Sequence, residues 1–312
     1  MRNPVLRKEL KTTSRSWRLM GLITFACSIL ALILMGYLTI AYGNDYSLGG
    51  IEVEELMGLY FTLVGFVIVL IGFIAPATTA GAIAGEKQRR TFDLLLCTKL
   101  SSFKIATGKL SASLVKTVMI LIVSFPMFAM ITIFGGVSIS KIALTFLFIL
   151  NLAIYFGAIG LFTSSIMKRP VSATILAYVI MGLMAFGTLL LIQIIVELTG
   201  GYGTSSMNWL SYLYYISPLS GFMSLIEYQV GYGGSLIPDA VIQTFPKVLR
   251  DLPLRDFYIN GAHNILVSCG LLLWTMRNIN PIKKKFSFKR KGKNNAKAAE
   301  VVKEVATETA KG

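Results

Sequence analysis

The run LMGLYFTLVGFVIVLIGFIAPATTAGAIAG, residues 56–85, contains no Asp, Glu, Lys or Arg, and Glu86-Lys87-Gln88-Arg89-Arg90 follows it directly. About 20 apolar residues of helix cross the roughly 30 Å hydrocarbon core of a bilayer, so a charge-free run of this length predicts a transmembrane helix. Six further windows qualify by length: 19–44, 117–140, 142–167, 170–196, 198–226 and 257–276, each bounded by charged residues. The window at 117 is expected to extend back to about Leu110, past Lys116. Composition agrees, with 54% hydrophobic and 14% charged residues against about 25% charged in an ordinary soluble domain. A mean hydropathy of +0.68 points the same way. The fold class expected is an all-α integral membrane protein.

One window differs in kind. Between Leu198 and Ile226, 14 of 29 positions are Gly, Pro, Ser, Thr or Asn, and Trp209, Tyr212, Tyr214 and Tyr215 favour the headgroup level. This segment is expected to be re-entrant or interfacial, which leaves six spans at about 19–42, 57–82, 110–134, 142–166, 171–196 and 257–276. Lys and Arg accumulate on the cytoplasmic side of membranes. With six spans and both ends inside, 25 of the 30 basic residues fall on inner segments. A seventh crossing would put the tail with Lys283, Lys284, Lys285 and Lys289 outside. The first apolar run exceeds a normal signal-peptide core and is followed by no evident cleavage site, so it is expected to stay as an anchor. Cys27, Cys97 and Cys269 fall in spans or a cytoplasmic loop and give no reason to expect a disulfide.

Ahead of the first span, residues 1–18 form an expected amphipathic helix, capped by Asn3 with Pro4 in its first turn. Leu6, Leu10, Thr13 and Trp17 fall on one stripe and the Arg and Lys residues mostly lie elsewhere, the pattern of a helix in the inner interface. After the second span, segment 85–105 predicts a short cytoplasmic amphipathic helix. Phe92, Leu95 and Leu96 share its face, and Ser101 is placed to cap the helix that becomes the third span. A charged, partly apolar bump between two membrane helices offers a cytosolic partner something to grip; the plainer alternative is a basic loop against anionic lipid. The tail, 277–312, is basic and then polar and Ala-rich, and is expected to be disordered. Its juxtamembrane Lys and Arg suit anionic lipid, and no nucleic-acid partner is needed to explain them.

The opening NPVLRKEL, the run TAGAIAGEKQRRTFDLLLCTKLSSFKIATGKL and the six-span order with a long loop before the last span resemble the integral membrane subunits of type-2 ABC transporters. The resemblance covers nearly the whole chain in layout, and its most specific part is GEKQRRTFDLLL followed by LSSFKIATGK. It implies that the N-terminal helix is an elbow helix and that 85–105 holds a coupling helix docking on a cytosolic ATP-binding subunit. Glu86, Arg89, Arg90, Thr91, Asp93, Leu94 and Leu95 would be the docking positions. It further implies a second permease subunit, a plasma-membrane location, export as the commoner direction, and ATP with Mg bound by the partner. Family members often have Pro where this chain has Lys99, which bears on the bend between the two short helices.

The residues themselves favour the same class. A Walker motif requires G-x-x-x-x-G-K-[ST], and the nearest match, Gly108-Lys109, is followed by Leu110 and has Phe103 where the first Gly belongs. This chain is therefore expected to be no enzyme and to hold no cofactor. An intramembrane enzyme needs paired carboxylates, a nucleophile with its base or a metal cluster, yet no Asp lies in any span and His263 has no evident partner. An ion-coupled transporter usually needs charges near the midplane; only Lys116 is available, near one end, where snorkelling to the inner headgroups explains it. Lys116, Asn151 and Gln193 are the candidate pathway residues. For Asn151, Gln193 and Asn264, bonding between helices is the favoured reading over lining a pathway. Gly81 and Gly85 form a G-x-x-x-G from which close helix packing is expected.

Overall fold

The computed structural model describes residues 17–44, 53–92, 101–133, 137–198, 213–230 and 255–279, and among these every regular element is a helix. Residues Leu6, Leu10, Asp93, Leu94 and Leu95 lie outside the described set. The helices are α1 (Trp17–Asn44), α2 (Val53–Gln88), α3 (Ser102–Ile133), α4 (Ile139–Ile166), α5 (Pro170–Gly182), α6 (Thr188–Leu198), α7 (Ser220–Val230) and α8 (Arg255–Ile279). A π turn, Leu183–Gly187, joins α5 to α6 in one rod. Five stretches are long and apolar enough to cross a membrane: Met20–Thr39, Leu56–Gln88, Ser102–Ile133, Ile139–Ile166 and Pro170–Ile192.

Local chemistry sets the boundaries. Ser101 caps α3, its Oγ accepting the Lys104 N–H at 3.4 Å, so the helix starts two turns before the apolar window at Leu110. Pro170 occupies the first turn of α5, where its missing N–H has no helical partner to lose. Pro76 sits inside α2 and removes one backbone bond there. The hydroxyls of Thr78 and Thr79 fold back onto the carbonyls of Ile74 and Ala75, at 2.9 and 2.8 Å, beside this gap.

Three helices run parallel at the centre, with α4 between α2 and α8. Along α2 and α4 the paired positions are Tyr60 with Thr145, Thr79 with Gly160, and Ile83 with Ser164. Along α4 and α8 they are Phe148 with Phe257, Asn151 with Gly261, Phe162 with Trp274, and Ser165 with Asn278. Helices α3 and α5 run antiparallel to α2: Thr78 meets Ser113 while Ala82 and Glu86 meet Lys109, and Phe73 meets Tyr178 while Gly85 meets Pro170. The ends of α2, α4 and α8 therefore lie together at one end of the bundle, beside the start of α3.

The close approach expected at Gly81 and Gly85 is elsewhere. Within this chain a Cβ on Gly81 would meet nothing within 4 Å, and one on Gly85 would only reach Pro170 Cγ at 4.0 Å. Close packing falls instead on α4, the central helix, which has neighbours on most sides. A Cβ on Gly157 would come within 2.8 Å of Leu110 Cδ1, and one on Gly160 would overlap Thr79 Oγ1 and lie 3.1 Å from the Pro76 carbonyl oxygen. Gly160→Leu should accordingly force α2 and α4 apart and destabilise by about 3 kcal/mol, the upper range for overpacking. Unfolding in SDS-titrated mixed micelles measures this; stability within about 1 kcal/mol of wild type would refute the contact.

Helix α8 is turned inside out relative to a soluble helix. Asn260, Asn264, Ser268 and Thr275 are buried, whereas Tyr258, Leu266, Leu273 and Trp274 are exposed. It is less apolar than the other five stretches. The apolar residues it does have face outward, as do Met20, Phe25, Leu32 and Met35 of α1 and Val171, Ile175, Leu183 and Leu190 of the α5–α6 rod. Apolar surface on this scale is characteristic of a membrane or interaction face rather than a soluble monomer.

Candidate functional site

Two polar clusters interrupt the apolar bundle, one at each end. The first is the corner where α2 stops. Its last turn closes as a Schellman motif: Thr91 N–H reaches the Glu86 carbonyl at 3.0 Å and Arg90 N–H the Lys87 carbonyl at 3.2 Å. Such a motif requires a left-handed residue just beyond the cap, and here it is Arg90, with φ 57°, the one non-glycine residue of positive φ among those described. A side chain in that conformation costs about 1–2 kcal/mol relative to glycine.

Around this turn the side chains knit four helices. Lys109, 4% exposed on α3, donates to Glu86 Oε1 at 2.9 Å and to the Ala82 carbonyl at 2.8 Å. Ser164 Oγ of α4 accepts the N–H groups of Ile83 and Ala84 at 2.9 and 2.8 Å. Lys87 donates to the Ser165 carbonyl in the last turn of α4, where a cation complements the helix dipole. It also lies 5.7 Å from the Phe92 ring centroid. Asn278 of α8 donates to Ser165 Oγ at 3.2 Å, and below it Ile83, Leu110, Leu161 and Ile279 pack together.

Geometry divides the predicted docking residues. Glu86 is 29% exposed and its Oε1 is committed to Lys109, while Oε2 is buried and without a hydrogen bond. Arg89, Arg90 and Thr91 are exposed where α2 ends. Trp17 opens α1 and is 90% exposed. Among the pathway candidates, Lys116 is half-buried on α3, and Asn151 donates to the Gly261 carbonyl at 3.2 Å, a bond between helices. Gln193 lies on α6.

The second cluster holds the segment 213–230, including α7, against the bundle. Asn260 Nδ2 faces the Tyr215 and Ser217 carbonyls and Ser220 Oγ at 3.2, 2.7 and 3.0 Å, and its Oδ1 accepts from Asn264 at 2.9 Å. Ser217 Oγ donates at 3.0 Å to the carbonyl of Ala185 in the π turn. Gly221 is required here, because a Cβ would lie 2.6 Å from Asn260 Oδ1 and 2.9 Å from Phe148 Cε2. At its far end, α7 and α4 hold each other's backbone: Lys141 Nζ donates to the Gln229 carbonyl at 2.8 Å and Gln229 Nε2 to the Lys141 carbonyl at 3.1 Å. Gln229 also donates to Thr145 Oγ1, which shares a 2.6 Å bond with Tyr60.

Sequence reasoning passed over Lys109, Ser164, Ser165, Gln229, Asn260 and Asn278 as participants. Only Asn260 carried a signal, since Asn260, Asn264 and Ser268 repeat every four residues on an otherwise apolar helix. No groups of three or more His, Cys, Asp or Glu that could hold a metal occur among the described residues. A family model described as ABC-2 family transporter protein matches residues 3–276. Among curated proteins none matches the chain.

Proposed function

The chain belongs to the ABC-2 family of transporter proteins, and from that premise we propose that it is the permease subunit of an exporter driven by a separate cytosolic ATP-binding subunit. Membership makes it a multi-pass membrane component of an ABC transporter and not itself an enzyme. The finer reading is ours. Six helices, α1 to α4, the α5–α6 rod and α8, cross the plasma membrane with both termini in the cytosol. A second permease subunit completes the pathway, and ATP with Mg belongs to the ATP-binding partner.

Support for α8 as the sixth span comes from its length of 25 residues, about 37 Å at 1.5 Å per residue, and from its outward apolar face. Support for the sidedness comes from the shared end of α2, α4 and α8. The basic segments 86–109, 168–169 and the tail then lie on one side, as the positive-inside rule requires. The observation that carries the coupling role is the corner itself: a turn exposed at Arg89 to Thr91 and braced by an ion pair into α3 and hydrogen bonds into α4. A push on a braced turn moves three helices together, which is how binding energy for one conformation becomes a rearrangement of the pathway. Basic residues at both termini contact anionic lipid in this reading.

Affinity purification of the tagged chain from its native membrane tests it, comparing wild type with Arg90→Glu/Leu95→Asp and assaying ATPase in the eluate. Wild type should bring down an ATP-binding subunit with ATPase activity, and the double variant should lose both by at least ten-fold, the effect of about 1.4 kcal/mol. Absence of any such subunit with wild type would sink the coupling assignment.

A further inference from the structure

We infer that a buried water molecule joins α4 to α8 inside the bundle, donating one proton to Asn151 Oδ1 and the other to Asn264 Oδ1. Both oxygens are buried and accept no hydrogen bond, whereas buried polar atoms of native proteins are nearly always paired. Asn264 as a whole is fully buried. Asn151 is the thirteenth of the 28 residues of α4 and Asn264 the tenth of the 25 of α8. In the membrane orientation proposed above, both lie well inside the hydrocarbon, which offers no donor.

The nitrogen of each amide fixes its orientation. Asn151 Nδ2 donates to the Gly261 carbonyl at 3.2 Å, and turning that amide over would set two oxygens against each other. Asn264 Nδ2 donates to Asn260 Oδ1 at 2.9 Å. Asn260 cannot turn either, because its own Nδ2 is held by the Tyr215 and Ser217 carbonyls. Both remaining oxygens therefore call for a donor. They border one turn of α8. At about 100° per residue, position 264 falls about 40° round the helix from 260 and about 60° from 261, and the backward tilt of helical side chains carries the Asn264 amide over that turn. The Asn151 amide reaches the same turn from α4, for a Cβ on Gly261 would lie 3.3 Å from Asn151 Nδ2.

One water matches this pair of acceptors. It supplies two protons, brings no charge into the hydrocarbon, and finds two partners, within the roughly two to four that internal waters have. A hard cation instead gathers about six oxygens or more. Here the Gly261 carbonyl already accepts from Asn151, and the Asn264 carbonyl from Ser268 Oγ at 2.6 Å. The bridge has a structural consequence. Asn264 is tied through Asn260 to the segment 213–230, and Ser217 ties that segment to the π turn at Ala185. Linking Asn264 to Asn151 extends this path to α4, the central helix.

Crystals of the full chain grown from a lipid mesophase test the bridge, at a resolution that shows ordered water elsewhere in the bundle. Density for one water should stand about 2.8 Å from both Oδ1 atoms and stay unchanged when thallium replaces sodium in the buffer. Anomalous scattering at the site in thallium would make the ligand a cation and overturn the inference. A direct bond between the two amides, or no density between them, would overturn it equally. Unfolding in SDS-titrated mixed micelles gives a second readout for wild type, Asn151→Leu, Asn264→Leu and the double variant. Each single variant strands the other oxygen, and the double variant strands neither. Its unfolding constant should therefore change at least ten-fold less than the product of the single effects, a coupling of about 1.4 kcal/mol. Effects that simply multiply would show that the two oxygens share no ligand. None of these results depends on recovering an ATP-binding subunit, so the permease reading stands or falls separately.

Discussion

Replacing Glu86 by alanine is expected to destabilise the permease by about 3 kcal/mol, toward the low end of what removing one partner of a buried ion pair costs. The reason is asymmetric burial. Lys109 is 4% exposed and Glu86 29%, so the variant leaves a buried ammonium group without its carboxylate. Lys109→Ala should be milder, because Glu86 is the less buried side chain of the pair. In the double variant Glu86→Gln/Lys109→Met no charge is stranded, and stability should return to within about 1 kcal/mol of wild type. Unfolding of these proteins in SDS-titrated mixed micelles, with Glu86→Ala/Lys109→Ala closing the cycle, yields the coupling term. Additive single effects would show that the two side chains do not share one site.

Asn260→Leu carries the second large effect. The amide is fully buried and joins the Tyr215 and Ser217 carbonyls, Ser220 Oγ and Asn264 in one network. Each buried polar group left without a partner costs about 1–3 kcal/mol, and water reaching the opened network recovers part of that. A loss of about 3–4 kcal/mol is expected. It should be local in its first appearance: amide exchange in 213–230 should accelerate by about two orders of magnitude while α2 and α4 stay protected. Uniform loss of protection across the bundle would mean that the segment is integral to the core and not a separately held flap. Asn260→Asp sets a buried carboxylate against the Tyr215 and Ser217 carbonyls and should cost at least as much.

Much of the fold was legible because a bilayer imposes a crude rule. Length without charge marks the helices α1 to α5 whatever their partners, and Pro170 and Ser101 marked the starts of α5 and α3 through local capping. The last helix was legible as a charge-free window at 257–276, yet its polar residues were read singly, and only packing reveals that they form one inward face. Within this chain the G-x-x-x-G at Gly81 and Gly85 marks no close approach, because a small residue does so only where a neighbouring helix arrives. Those two positions face away from α4, and the neighbour arrives at Gly157 and Gly160.

The candidate site divides along the same line. That a basic, partly apolar segment at 85–105 lies between two spans is written in the order of residue types, as are the exposed Arg89 and Arg90. That Glu86 is turned toward Lys109 is not, for 23 positions separate them in the chain, and their pairing depends on how α2 and α3 pack. Nor could the sequence place Ser164 against the backbone of α2, or put Arg90 in a left-handed turn where composition gives no glycine to announce one. Hydrophobicity and charge act residue by residue against the membrane, so the existence and approximate extent of the five long apolar helices follow from the sequence alone. Hydrogen bonds and close packing act between residues that only folding brings together, so the braced corner and the asparagine-held segment were decided by the tertiary structure.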